Sequence, residues 1–159
     1  MSELMQTAQE IREWWFKDYI PRWVAASSGK SGEGDGFITE YWNVPLYANA
    51  LGTRAWLNTA DEVRKFLAGQ QDELQAEHYD HTTIPDRKVV AYNKNGGCIE
   101  VIWSRRRADE SEVMHLAVHF EVARLDDGED GEHWRVIAIQ SEDTNKSNAL
   151  DQIFAQTFE

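Results

Sequence analysis

The sequence predicts an α+β domain, with helices packed on one face of a curved antiparallel sheet. Three observations carry that expectation. Apolar residues recur at three- and four-residue steps over 2–26 and again over 60–79. From Arg87 onward the pattern changes to two-residue alternation. Turn signals such as Asn95-Gly96-Gly97 then divide the second half into successive strands.

The first helix covers Ser2 to Ala26. Leu4, Ala8, Ile11, Trp15, Tyr19 and Trp23 form its apolar stripe, Ser2 can cap it, and Glu3 suits its first turn. Pro21 lacks an N–H and disfavours helical geometry at Ile20, which predicts a kink or break there. Ser27 to Gly36 is a loop by composition. Its Gly29-Lys30-Ser31 resembles the end of a phosphate-binding loop. The earlier glycine of that motif would fall at Val24, inside the helix, and no strand feeds the loop. Phe37 to Trp42 predicts a short helical turn and Val44 to Leu51 a short strand, with Gly52 turning the chain before Arg54-Ala55-Trp56-Leu57. Asn58 or Thr59 caps a second helix from Ala60 to about Tyr79, buried through Val63, Phe66, Leu67, Gln70 and Leu74. Strands are expected at Arg87–Asn93, Cys98–Arg107, Glu112–Leu125 and His133–Asp143. A polar turn lies at 108–111 and an acidic loop at 126–131. Asn148 to Phe158 reads as a terminal helix, with Leu150, Ile153, Phe154 and Phe158 on one side.

The 159 residues suit one domain, 1–159, large enough to bury a core without staples. A formal charge of −12 repels phosphate backbones and anionic lipid, so neither nucleic acid nor a membrane is an expected partner. The single cysteine, Cys98, excludes an internal disulfide and a cysteine-cluster zinc site. No apolar run approaches the ~20 residues of a membrane span, and the N-terminal stretch is acidic and amphipathic, unlike a signal peptide. A cytoplasmic location is the expectation.

Strand alternation assigns faces. Met114, Leu116, Val118, Phe120 and Val122 should face the helices, with His115, Ala117, His119 and Glu121 outside. Ile99, Val101 and Trp103 are placed inside; Cys98, Glu100, Ile102 and Ser104 lie opposite. In the last strand Trp134, Val136 and Ala138 alternate with Arg135, Ile137 and Ile139, so both faces are apolar. A homodimer through the outer sheet face would cover the second one, as would the terminal helix.

The pieces Trp15-Phe16-Lys17-Asp18-Tyr19, Tyr41-Trp42-Asn43-Val44-Pro45-Leu46, Arg105-Arg106-Arg107 and His133-Trp134-Arg135-Val136, in this order of elements, resemble the nuclear-transport-factor-2-like superfamily. That is the cone-shaped fold shared with ketosteroid isomerase and the SnoaL-like cyclases, and the likeness is to a bacterial branch. It spans essentially the whole chain. It implies a dimer and a hydrophobic pocket between helices and sheet. Some members are isomerases, dehydratases, cyclases or hydrolases, and others only bind, so the fold leaves the function open. Asp143 and Tyr19 are chemically suited to an acid/base set, but neither sits in a motif that assigns it such a role. No catalytic residue is transferred.

Other residues are weighed singly. His115 and His119 stand about 13 Å apart along one strand face, too far to share a metal. They read as surface or interface histidines. His78 and His81, with Asp80 between them, read as loop residues. Glu100 reads as an outward carboxylate, and would be a general base only if turned into the cone. Arg105-Arg106-Arg107 reads as the solvent end of a strand, with a carboxylate ligand or an acidic partner loop as the lesser role. The expected pocket walls are Trp15, Tyr19, Trp42, Tyr47, Trp56 and Trp103, since Trp and Tyr join a large apolar body to a polar tip. No nucleotide, flavin, haem or metal motif is visible, so any chemistry is expected to run without a cofactor or metal. The reading is a pocket protein for a hydrophobic or aromatic small molecule, with cofactor-free isomerase, dehydratase, cyclase or hydrolase chemistry open to it. The alternative is a non-catalytic dimeric interaction module. With Trp103 inside, Trp103→Ala should cost about 3–5 kcal/mol in urea melts. A change below about 1 kcal/mol would place it at the surface or against empty space.

Overall fold

Ser2 caps the first helix as its sequence implies, its hydroxyl accepting the Met5 N–H at 3.1 Å. The computed structural model describes residues 2–33, 35–126, 131–144 and 146–158. Gly34 of the first loop and most of the acidic loop lie outside the described residues. Helix α1 (Glu3–Arg12) passes into a π-helical segment, Glu13–Tyr19, and then into α2 (Ile20–Ser27). The expected break at Pro21 is therefore a change of helical register. Pro21 cannot donate a hydrogen bond, and the turn before it widens so that the Ile20 N–H reaches the Trp15 carbonyl, five residues back.

The loop after α2 is tied back through Arg22. Its guanidinium pairs with Glu33 and with Glu40 (2.8 Å), donates to the Tyr41 hydroxyl (2.9 Å) and lies over the Phe37 ring. Only Ile38–Glu40 of the expected helical turn forms, as a 3-10 turn. Helix α3 (Ala60–Ala76) starts at Thr59, whose hydroxyl accepts the Glu62 N–H, while the Glu62 carboxylate accepts the Asn58 N–H.

Seven strands form one curved, unclosed sheet: β1 (Trp42–Ala50), β2 (Thr53–Leu57), β3 (His81–Thr83), β4 (Arg87–Asn93), β5 (Gly96–Arg106), β6 (Glu112–Asp126) and β7 (Glu132–Asp143). Their order is β2-β1-β7-β6-β5-β3, with β4 also pairing with β5. The architecture is the α+β arrangement expected. Two pairings were not: β1 runs parallel to β7, which makes the sheet mixed, and His81–Thr83, read as loop, is a short strand on β5. The packed core lies between helices and concave face, where Ile11, Trp15, Val63 and Leu67 meet Val101, Val118, Phe120 and Val136.

The last strand corrects the reading of its two faces. Glu121 pairs with Ala138 and Val122 with Val136, so Ile137 is an extra residue in a β-bulge. The bulge resets the alternation and brings Val136 and Ile139 into the same core. Two apolar faces in the sequence are thus partly one face read out of phase. The terminal helix also differs: only Leu150–Gln152 forms, as a 3-10 turn. Leu150, Ile153 and Phe154 pack over Ile102 and Ala117 on the outer side of β5 and β6.

Gly97 sets how closely α1 approaches the β4–β5 hairpin. A Cβ there would stand 2.2 Å from the Val90 carbonyl oxygen and 2.9 Å from Ile11 Cδ1. Gly97→Ala should therefore destabilise the fold by about 1–3 kcal/mol in urea melts. A loss below about 0.5 kcal/mol would show that the hairpin does not bear on the helix.

Candidate functional site

The π segment carries two aromatic residues, four apart in sequence, on one face. Trp15 and Tyr19 stack with ring centroids 4.4 Å apart, and Trp15 reaches Phe120 of β6 at 4.6 Å. Trp42 donates its indole N–H to the Tyr19 hydroxyl at 2.9 Å. These rings, with Trp103 of β5, wall a cavity between the helices and the sheet, closed on the helix side by Leu67 and Leu74 of α3. The space free of protein atoms is about 610 Å³, the mouth included, but the centre of a water-sized molecule can occupy only about 40 Å³ of it. The aromatic side chains narrow the cone without sealing it, leaving room for roughly three waters. The mouth continues into a shallow polar groove, which shares Ala50, Leu51, Leu116 and Ser141 with the cavity.

Of the six expected pocket walls, Trp15, Tyr19, Trp42 and Trp103 line this cavity. Tyr47 and Trp56 do not. They pair across β1 and β2, with rings 5.3 Å apart, and Trp56 is 59% exposed. Tyr47 falls between Leu46 and Ala48, which are both fully buried in the core, so strand alternation turns it to the convex side. Asp143 is exposed and lies on the outer groove, not in the cavity.

Sequence reasoning missed Arg105. It was read as solvent-facing, yet it continues the inward alternation of Val101 and Trp103 and lines the cavity. Its guanidinium donates to the Thr82 hydroxyl at 2.8 Å and lies over the rings of Trp103 and Tyr79. Its neighbours keep the expected exterior role: Arg106 pairs with Glu112, and Arg107 with Glu77 at 2.8 Å. Burial drives the Tyr19 phenol well above its usual pKa, and the Trp42 hydrogen bond offsets only part of this. Tyr19 therefore stays protonated at neutral pH and can serve as a hydrogen-bond donor. Among the described residues lining the cavity, the only carboxylate is that of Glu73, which is exposed at the rim.

The remaining candidates sit outside. Glu100 faces outward as expected, bonded to His119 at 2.8 Å and to Lys88 at 3.0 Å. Among the described residues, donor atoms of Cys98, Glu100 and His119 lie within 4.8 Å of one another, so these three are the group that could hold a metal. His115 bonds to Thr144 and to Asn148. His81 stands between Asp80 and Glu110, and Lys30 of the glycine-rich loop pairs with Asp80. No helix among the described residues is long and apolar enough to cross a membrane.

Comparison with known proteins agrees with this architecture. A family described as NTF2-like protein (DUF6841) matches residues 9–144. No curated protein matches the chain. A protein of unknown function from the DUF3225 family of Pectobacterium atrosepticum superposes with a TM-score of 0.57 at 9% identity, over 86% of this chain and 89% of that one. A structure from Xanthomonas campestris, described as a calcium/calmodulin-dependent protein kinase II association domain, gives 0.58 at 10% identity, over 87% and 89%. An NTF2-like protein of unknown function from Shewanella oneidensis gives 0.49 at 18% identity, over 80% and 98%. At these identities the first two likenesses speak for the fold alone.

The Glu100 pair has a pH consequence. Burial works to raise its carboxyl, but the bonds from His119 and Lys88 outweigh it and hold the pKa below the usual range. A carboxyl depressed in the folded state stabilises above its unfolded pKa of about 4.3, and that contribution is lost as the pH falls. Glu100→Gln should therefore lose less unfolding free energy than the parent between about pH 6 and pH 3. Equal losses in urea melts would show that the pair contributes nothing.

Proposed function

The chain belongs to the NTF2-like protein family DUF6841, and from that premise we propose that it binds a small hydrophobic or aromatic molecule in the cavity between helices and sheet. The observation that carries this reading is the cavity itself, walled by Trp15, Tyr19, Trp42 and Trp103 and joined to the surface by the groove. Its size favours a slim ligand. Binding fits the lining better than turnover does. Proton transfer, dehydration and hydrolysis all need a base near the reacting atom. Tyr19 is held protonated, Arg105 is a cation, and Glu73 stands at the rim.

Indole is a suitable neutral probe. Titrated into labelled protein, it should shift the indole N–H resonances of Trp15, Trp23, Trp42 and Trp103 and leave that of Trp56 in place. Ser141→Leu, which narrows the mouth, should weaken those shifts at least about tenfold. Uniform shifts of all tryptophans, or none, would remove the cavity as a binding site.

We also place a homodimer on the outer sheet face. Supporting it are the exposed Trp56 beside Tyr47 at β1 and β2, and exposed Tyr92 of β4 on the far side of the sheet. Two copies of a chain with net charge −12 repel, so their contact must be apolar locally. In sedimentation experiments Trp56→Glu should weaken self-association at least about tenfold. An unchanged dimer, or a monomeric parent, would move the interface elsewhere or remove it.

A further inference from the structure

We propose that the ligand of this cavity is a small carboxylic acid, its carboxylate held by Arg105 and its apolar body lying among the aromatic rings. This deepens the ligand-binding reading and rests on it. The first observation is a missing counter-ion. Arg105 is only 7% exposed, and no Asp or Glu among the described residues stands within ion-pairing distance of it. By contrast, Arg22, Arg106, Arg107 and Arg124 each have a carboxylate partner. With 28 acidic residues against 16 basic ones, carboxylates are not scarce in this chain. A guanidinium withdrawn from water without a counter-ion is costly, and Thr82 and two aromatic faces offset only part of that cost.

The second observation is independent and points the same way. The Nε1 atoms of Trp15 and Trp23 are buried without a hydrogen-bond partner, and both residues line this cavity. The one hydrogen bond of the Tyr19 hydroxyl among the described residues is received from Trp42, so its own hydrogen remains to be donated. The cavity walls thus carry a cation and donors without partners, and the side-chain acceptors among them are those of Tyr19, Gln70, Glu73 and Ser141. A carboxylate supplies the complement, a negative charge with about four lone-pair sites matched to the guanidinium fork. A phosphate would bring more charge than one arginine balances. With room for roughly three waters in its depth, inside about 610 Å³ that includes the mouth, the cavity restricts the ligand to a small acid.

The test compares isobutyrate with isobutyramide, which has nearly the same shape and no charge. Calorimetry or indole N–H shifts on the intact chain should show the acid bound at least about tenfold more tightly. Arg105→Met should erase that preference while the urea midpoint stays equal or rises, because an unpaired buried charge has been removed. If Arg105→Met fails to fold, Arg105→Lys keeps the charge without the fork and should weaken the acid alone. Equal binding of acid and amide by the parent, a preference that survives Arg105→Met, or acid binding that Arg105→Lys leaves undiminished would overturn the proposal. Failure of the underlying reading looks different, since neither isobutyrate, isobutyramide nor indole would then bind.

Discussion

The stacked rings of Trp15 and Tyr19 are the contact on which the rest of the structure leans. Trp15 touches Trp14, Trp42 and Phe120, and Tyr19 touches Trp23, Phe37, Tyr41 and Trp42. Through them one helix turn joins the N-terminal half of the chain to β1 and β6. The two rings stand four residues apart on one helical face, in the π segment ahead of Pro21. A curved sheet leaves a concave volume that aliphatic residues on a single helix would fill poorly. Aromatic rings span it, and being rigid plates they leave a slim gap between them. The narrow cavity follows from that geometry.

Charge follows a second logic. Most cations of this acidic chain are spent on its surface: Lys30 on Asp80, Lys88 on Glu100, Arg107 on Glu77 and Lys146 on Glu112. These exposed or half-exposed pairs hold loops and strand ends in register and contribute little stability each. Arg105 stands apart, buried with its charge over the Trp103 and Tyr79 rings. An interior built only for stability would have an apolar residue there. The arrangement makes sense as one half of an ion pair whose other half arrives from outside.

The order of elements was legible because long amphipathic patterns survive in this sequence. α3 begins at Thr59 for the capping reason its residues suggest, and β6 keeps Leu116, Val118 and Phe120 on the concave side. What escaped depends on events that periodicity does not encode. The bulge at Ile137 shifts one strand by a residue, so the face reading of β7 failed beyond it. Tyr47 and Trp56 look like Trp42 in composition, and only the register of β1 turns them outward. Arg105 carried a usable signal, since Val101, Trp103 and Arg105 follow one alternation. The expectation that arginine seeks water overrode it. The parallel pairing of β1 with β7 joins residues far apart in sequence, and local pattern has no bearing on such contacts.

A crystal structure of the protein, purified and crystallised without added carboxylates, bears most directly on the central claim. The account predicts the Arg105 guanidinium turned inward beside Thr82 and Trp103, facing a retained ligand or ordered water in an open cavity. A guanidinium swung to solvent or paired with a carboxylate of its own chain, over a cone closed by its tryptophans, would contradict it.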